Sequence, residues 1–276
     1  TRILSGLVMS IGIIALLTFG SALALHGLVL VLGTIAAMEY SAMAAPTRTT
    51  RAHLGYAAVA LLLILQPLLC NQWNLSTDLF WLVSFMLCAL VHLANPEPLE
   101  TACHRLGRDC LGLIYLGISL PYIVRLRGDS APDAIISEAE GGWLLLLAIL
   151  ITAMSDTGGY FFGRAFGRRK LYPLVSPKKT VEGALGGVLC AFIACWLASQ
   201  YMPFMGNLTV VHCIVLALLG STAAILGDLV ESLLKRGYGV KDSGTLIPGH
   251  GGVLDRIDGL MFSAPFTYYF WKLVMP

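Results

Sequence analysis

Residues 142–156 read Gly142-Trp-Leu-Leu-Leu-Leu-Ala-Ile-Leu-Ile-Thr-Ala-Met-Ser-Asp156. Between Trp143 and Met154 the only hydroxyl is Thr152 and there is no charge. Carried on to about residue 163, the run supplies the ~20 helical residues needed to cross a hydrocarbon layer ~30 Å thick. Near its far end stands Asp156, and a carboxylate at membrane depth is costly unless it faces a protein-lined cavity. A membrane-spanning helix with chemistry at one end is the reading that organises the rest of the chain.

The same pattern recurs. Apolar runs bounded by charged or turn-rich breaks fall at about 3–20, 22–40, 53–70, 78–95, 110–125, 142–163, 181–200, 208–234 and 257–275. They predict an all-α, polytopic integral membrane protein of about nine transmembrane helices. Composition agrees: 57% of the 276 residues are hydrophobic and 12% are charged, whereas a soluble domain carries roughly 25% charge. Mean hydropathy is +0.78. The first run, from Leu4 to Phe19, lacks a small-residue cleavage site and is taken as a span rather than a signal peptide.

Basic residues orient the spans. Of the 18 Lys and Arg, all but Arg125, Arg127 and Lys272 fall at the N-terminal start or in 41–52, 96–109, 164–180 and 235–256. Basic loops stay on the cytoplasmic side, so the expectation is N-terminus in and C-terminus out. Loops 71–77 and 200–207 carry no Lys or Arg, as outer loops should. A net charge of +2 offers no footing for nucleic acid. The seven cysteines form no C-x-x-C pair, which points away from zinc and redox motifs and towards apolar packing.

The chain changes character near residue 140. Residues 1–140 read as structural, lipid-facing transmembrane helices with little polar content beyond Glu39. Residues 141–276 read as a transmembrane catalytic region with its active site at the cytoplasmic face. In that region acidic groups stand within or beside apolar runs: Asp156, Glu182, Asp228, Glu231 and Asp258.

Three segments carry the chemistry. In Ser155–Gly167, Asp156 is the candidate functional group, while Gly159, Gly163 and Gly167 share one helix face and read as a close-packing surface. In Ser176-Pro-Lys-Lys-Thr-Val-Glu-Gly183, Lys178 and Lys179 stand at the start of an apolar helix that Thr180 can cap. A helix N-terminus with adjacent lysines suits phosphate. In 227–258, Asp228, Glu231 and Lys235 lie three and four residues apart, on one helix face. A loop with Lys241, Pro248, Gly249, His250, Gly251 and Gly252 then leads to Asp255, Arg256 and Asp258. Carboxylates from two helices are hard oxygen ligands of the kind Mg²⁺ accepts. The glycines let backbone amides approach an anion, and Lys235, Arg236, Lys241 and Arg256 add positive charge. Together they predict a metal–phosphate site.

The stretch Ser232–Asp258 resembles the signature of the phosphatidate cytidylyltransferase (CDP-diacylglycerol synthase) family: S-x-x-K-R, four residues, K-D, then P-G-H-G-G, two residues and D-R-x-D. Residues 155–167 and 176–183 also resemble their counterparts there. The resemblance implies transfer of the cytidylyl group from CTP to phosphatidate, giving CDP-diacylglycerol and pyrophosphate with Mg²⁺. It implies a metal centre at Asp228 and Asp255 with Asp258 nearby, and allows a second, monovalent cation such as K⁺. Lys178, Lys179, Lys235, Arg236, Lys241 and Arg256, with Asp156, are expected around the substrates. His250 is expected either to touch a phosphate or to donate a proton. A bacterial cytoplasmic (inner) membrane and a homodimer complete the expectation. Two alternatives are a CTP-dependent polyprenol kinase and an ion-coupled transporter. Transport is disfavoured by the clustering of charge at one face and by the lack of a clear internal repeat.

Overall fold

The computed structural model describes residues 12–18, 20–95, 98–128, 136–244 and 251–275. Its long helices are α1 (Ala22–Ala44), α2 (Thr50–Trp73), α3 (Thr77–Ala94), α4 (Ala102–Leu126), α5 (Glu138–Phe166), α6 (Val181–Tyr201), α7 (Val210–Gly237) and α8 (Leu254–Val274). Among the described residues seven helices, α1 to α7, are long and apolar enough to cross a membrane. The all-α polytopic fold expected from the apolar runs is therefore the fold observed. The expected span at 3–20 lies largely outside the described residues, of which 12–18 are helical.

Helix starts follow local chemistry. Thr49 accepts from the Ala52 amide at the start of α2, and Ser137 and Glu140 form a reciprocal capping box at the start of α5. Thr209 and His212 do the same for α7. These side chains satisfy first-turn amides that have no partner within the helix. Helix α4 begins eight residues before the expected 110, because the charged residues that interrupt the apolar run do not interrupt the backbone. The outward faces are apolar: Leu82 is 56% exposed, Leu93 74% and Leu185 67%. Side chains of this kind left uncovered by protein are what lipid requires.

A short antiparallel ribbon, β1 (Lys170–Tyr172) and β2 (Ser176–Thr180), joins α5 to α6, with Lys170 opposite Thr180 and Tyr172 opposite Ser176. Pro177 is tolerated because both strands are edges. The carboxylate of Glu182 accepts from the amides of Arg168 and Arg169 at 3.0 and 3.2 Å, tying the ribbon to the first turn of α6.

The chain forms two compact units, interleaved in sequence. The first comprises Thr1–Leu25, Arg125–Lys241 and Ile257–Pro276; the second comprises His26–Val124 and Asp242–Arg256. In the first, α5 and α6 approach through glycines. A Cβ on Gly183 would stand 2.7 Å from the Gly159 carbonyl oxygen, and one on Gly187 would stand 2.6 Å from that of Ser155. The packing role expected for Gly159 and Gly163 is the one they have. In the second, Leu63, Ile64, Leu116 and Leu120 are fully buried, and the Tyr40 and Tyr56 hydroxyls donate to the carbonyls of Arg108 and Asp109.

Candidate active site

In the first unit a cavity of about 280 Å³ opens between α5, the ribbon, α6 and α7. Its polar lining includes Asp156, Tyr160, Lys178, Lys179, Thr180 and Asp228. Three segments singled out from the sequence thus meet at one place.

Each side chain is positioned by its own element. Thr180 ends β2 and caps α6, its hydroxyl accepting from the Gly183 amide at 3.1 Å. Gly163 and Gly167 leave room for that threonine, since a Cβ on either would come within about 3 Å of its hydroxyl oxygen. Lys179, one residue earlier, reaches Asp228 of α7, with Nζ 2.6 Å from Oδ2. The other Asp228 oxygen accepts from the Ser232 hydroxyl at 3.2 Å, one turn along the helix. Lys178 is exposed at the cavity wall.

Asp258, on α8, accepts from the Gly259 amide at 2.6 Å and interacts electrostatically with Asp228, Asp156 and Lys235. Gly227 makes this approach of α7 and α8 feasible: a Cβ there would collide with the Asp258 carbonyl oxygen. Lys235 pairs with Glu231, which is fully buried. Asp156, Asp228 and Asp258 therefore come from three helices, with Lys179 and Lys235 beside them. Carboxylate oxygens are hard donors of the kind Mg²⁺ accepts, but among the described residues these three do not all bring an oxygen within 4.8 Å of one another.

The stretch Asp242–Arg256 of the signature belongs to the second unit. There Asp255 Oδ2 accepts from the amides of Ser243 and Gly252, at 3.0 and 2.8 Å, and from the Ser243 hydroxyl at 2.9 Å. One carboxylate thus closes the two ends of the loop onto each other. Gly251, at φ +84°, takes the left-handed conformation that glycine permits. Arg256 is exposed; in the first unit Lys241 and Arg236 are exposed too, and Arg236 donates to the Val240 carbonyl at 3.3 Å. His250 lies outside the described residues.

Glu39 is the functional residue that the sequence reading left without a role. It is buried at 9% exposure. Its carboxylate accepts from the Val253 and Leu254 amides, at 3.0 and 2.9 Å, and from the Ser243 hydroxyl at 3.3 Å. It thereby caps α8 and holds the signature loop. Gly252 allows this, since a Cβ there would stand 2.6 Å from Glu39 Oε2. The signal was present in the sequence: a lone carboxylate in an apolar span needs donors from somewhere.

The sequence profile of the cytidylyltransferase family matches residues 1–274. A phosphatidate cytidylyltransferase of Staphylococcus haemolyticus is 36% identical over 213 residues, covering 76% of this chain and 75% of the relative. One from Haemophilus influenzae is 44% identical over 138 residues, covering 49% of this chain and 48% of its own length. One from Staphylococcus aureus is 35% identical over 210 residues, covering 76% of this chain and 75% of that one. On this extent of similarity the chain belongs to the cytidylyltransferase family.

Proposed function

We propose that the protein is a membrane phosphatidate cytidylyltransferase, making CDP-diacylglycerol and pyrophosphate from CTP and phosphatidate. The observation that carries this reading is the meeting of Lys179 and Asp228 at a cavity also lined by Asp156 and Lys178. The names of the relatives supply the substrates.

The chemistry asks little of a base, because the attacking phosphate oxygen of phosphatidate is already anionic. That oxygen bonds to the α-phosphorus of CTP while the bond from that phosphorus to the bridging oxygen of the β-phosphate breaks. The electron pair departs on pyrophosphate. What opposes the step is repulsion between two phosphates. Lys178 and Lys179 offset it with full charges, and the capped N-terminus of α6 offsets it with partial ones. Asp156, Asp228 and Asp258 would hold the cation, and the family resemblance alone would add Asp255 to its ligands. Mg²⁺, when bound, supplies charge neutralisation and alignment of the reacting phosphates; the same reading leaves room for a monovalent ion such as K⁺. Lys235 sits beside the carboxylates and limits their mutual repulsion.

In this reading the active site faces the cytoplasm of a bacterial inner membrane, where CTP is supplied. Its support is the concentration of Lys and Arg on one set of loops. The test is incubation of the purified protein with phosphatidate, Mg²⁺ and CTP tritiated in the cytidine, followed by lipid extraction. Label in the lipid phase is the expected result. A phosphorylated lipid without cytidine would point to a kinase instead.

A further inference from the structure

The second unit holds a second cavity, none of whose lining residues has a part in the transferase chemistry proposed above. Its volume is about 720 Å³, and its lining comes from the loop after α1, the starts of α2 and α4 and the end of α3. Arg48, Arg51, Arg105 and Arg108 line it, and among the described lining residues the one carboxylate is that of Asp109. We propose that this cavity is a phosphate-binding site, taking the phosphate monoester of an anionic lipid headgroup or a free phosphate ion. The proposal does not depend on the transferase reading.

Asp109 does not neutralise the group; it organises it. Its side chain is 4% exposed and is ion-paired with Arg48 and with Arg108, whose Nε is at 3.4 Å, and His92 Nε2 lies 3.2 Å from it. Neutral groups also hold Arg48 and Arg105. Arg48 donates to the Ser41 hydroxyl at 3.0 Å and lies over the Tyr56 ring, and Arg105 donates to the Pro98 carbonyl at 3.3 Å. Neutral partners fix a guanidinium without cancelling its charge. The excess positive charge therefore stays at the cavity.

Two further observations favour an anion. Thr49, Arg51 and Ala52 line the cavity, so the positive end of the 24-residue helix α2 is part of its wall. Two of the arginine side chains are also largely withdrawn from water, at 18% exposure for Arg48 and 22% for Arg108. The positive-inside rule accounts for arginines in these loops. It does not account for four of them converging on one cavity. Guanidinium groups pre-positioned in this way suit the bidentate recognition of phosphate.

A cation is the rival occupant, since Cys88, His92 and Asp109 place ligand atoms within 4.8 Å of one another. However, the Asp109 oxygen that faces His92 is the one that Arg48 binds. A guanidinium already holds the position a metal would need. His92 is further engaged through Nδ1, 2.9 Å from the Cys88 carbonyl oxygen.

The experiment uses full-length protein carrying Lys179→Ala, to weaken phosphate binding at the other cavity. It is titrated calorimetrically in detergent with dihexanoyl phosphatidate, dihexanoyl phosphatidylcholine and inorganic phosphate. Saturable phosphatidate binding is expected, weaker by tenfold or more when Arg51→Gln and Arg105→Gln are added, with no saturable binding of phosphatidylcholine. Inorganic phosphate binding with the same sensitivity identifies a free ion as a sufficient ligand; binding by phosphatidate alone identifies the lipid headgroup. If the variant with both changes does not fold, Arg51→Gln alone, at an exposed position, decides by a threefold or greater loss. Affinity unchanged by these substitutions, or no saturable binding of either phosphate probe, would overturn the proposal.

Discussion

Lys179 Nζ stands 2.6 Å from Asp228 Oδ2, joining the strand before α6 to the C-terminal half of α7. The two side chains are 23% and 31% exposed. A partly exposed pair of this kind contributes only ~0–1 kcal/mol to stability. Its place at the cavity is better explained by binding: the lysine suits a phosphate and the aspartate suits a cation.

Substituting the pair separates these roles. Lys179→Ala should lower kcat/KM for CTP by about tenfold or more, the loss of one charge-assisted contact of ~1.5–3 kcal/mol. Asp228→Asn keeps the size and removes the charge, and should lower turnover by roughly a hundredfold or more. Melting temperatures in detergent should shift little in either variant. Normal turnover with a large loss of stability would mean that the pair is structural.

Glu39 should behave in the opposite way. Glu39→Gln replaces one acceptor oxygen by a donor that faces the amides and hydroxyl it now receives. Leaving a buried donor unsatisfied costs ~1–3 kcal/mol. A lower melting temperature is expected together with reduced turnover, because the signature loop and the start of α8 lose their anchor. Glu100→Gln, at an exposed position, is the control and should change neither. Wild-type stability in Glu39→Gln would remove the capping role.

Glycine substitutions probe the approach of α7 and α8. Gly227→Ala forces a Cβ against the Asp258 carbonyl oxygen and should destabilise by ~1–3 kcal/mol, with activity falling as the carboxylates move apart. Gly107→Ala meets no atom within 4 Å and lies inside a helix. It should be neutral or stabilising by up to ~1 kcal/mol. Thermal unfolding and activity on the same preparations compare the two.

Orientation is tested by labelling. In a background without the seven native cysteines, a cysteine at Asn74 or Asn207 should react with an impermeant thiol reagent added outside intact cells. One at Leu174, 83% exposed in the ribbon turn, should react only after the membrane is opened. External labelling at Leu174 would reverse the proposed topology.

The spans were legible because lipid leaves a chain little choice: a run such as Trp143–Met154 cannot be a soluble surface. The junction at Lys179 and Thr180 was legible too, since charge passes directly into an apolar helix with a capping residue. The ribbon was not, because 170–180 carries no alternation of apolar and polar residues. The link from Glu39 to Ser243 spans 204 residues: a carboxylate in an apolar run announces that donors are needed, but not which residues supply them. The arginine cavity was hidden for another reason. Membrane orientation already accounted for basic residues at 48, 51, 105 and 108, so their convergence on one cavity emerged only from packing.

The central claim is that the cytidylyl group, with its α-phosphate, ends on the lipid. Purified protein is given phosphatidate, Mg²⁺ and CTP labelled in parallel reactions at the α- or the γ-phosphate, and the lipid phase is counted. The account predicts α-label in the lipid, γ-label remaining in the aqueous phase as pyrophosphate, and loss of most lipid α-label with Asp228→Asn. Transfer of γ-label to the lipid, or α-label incorporation undiminished by Asp228→Asn, would contradict it.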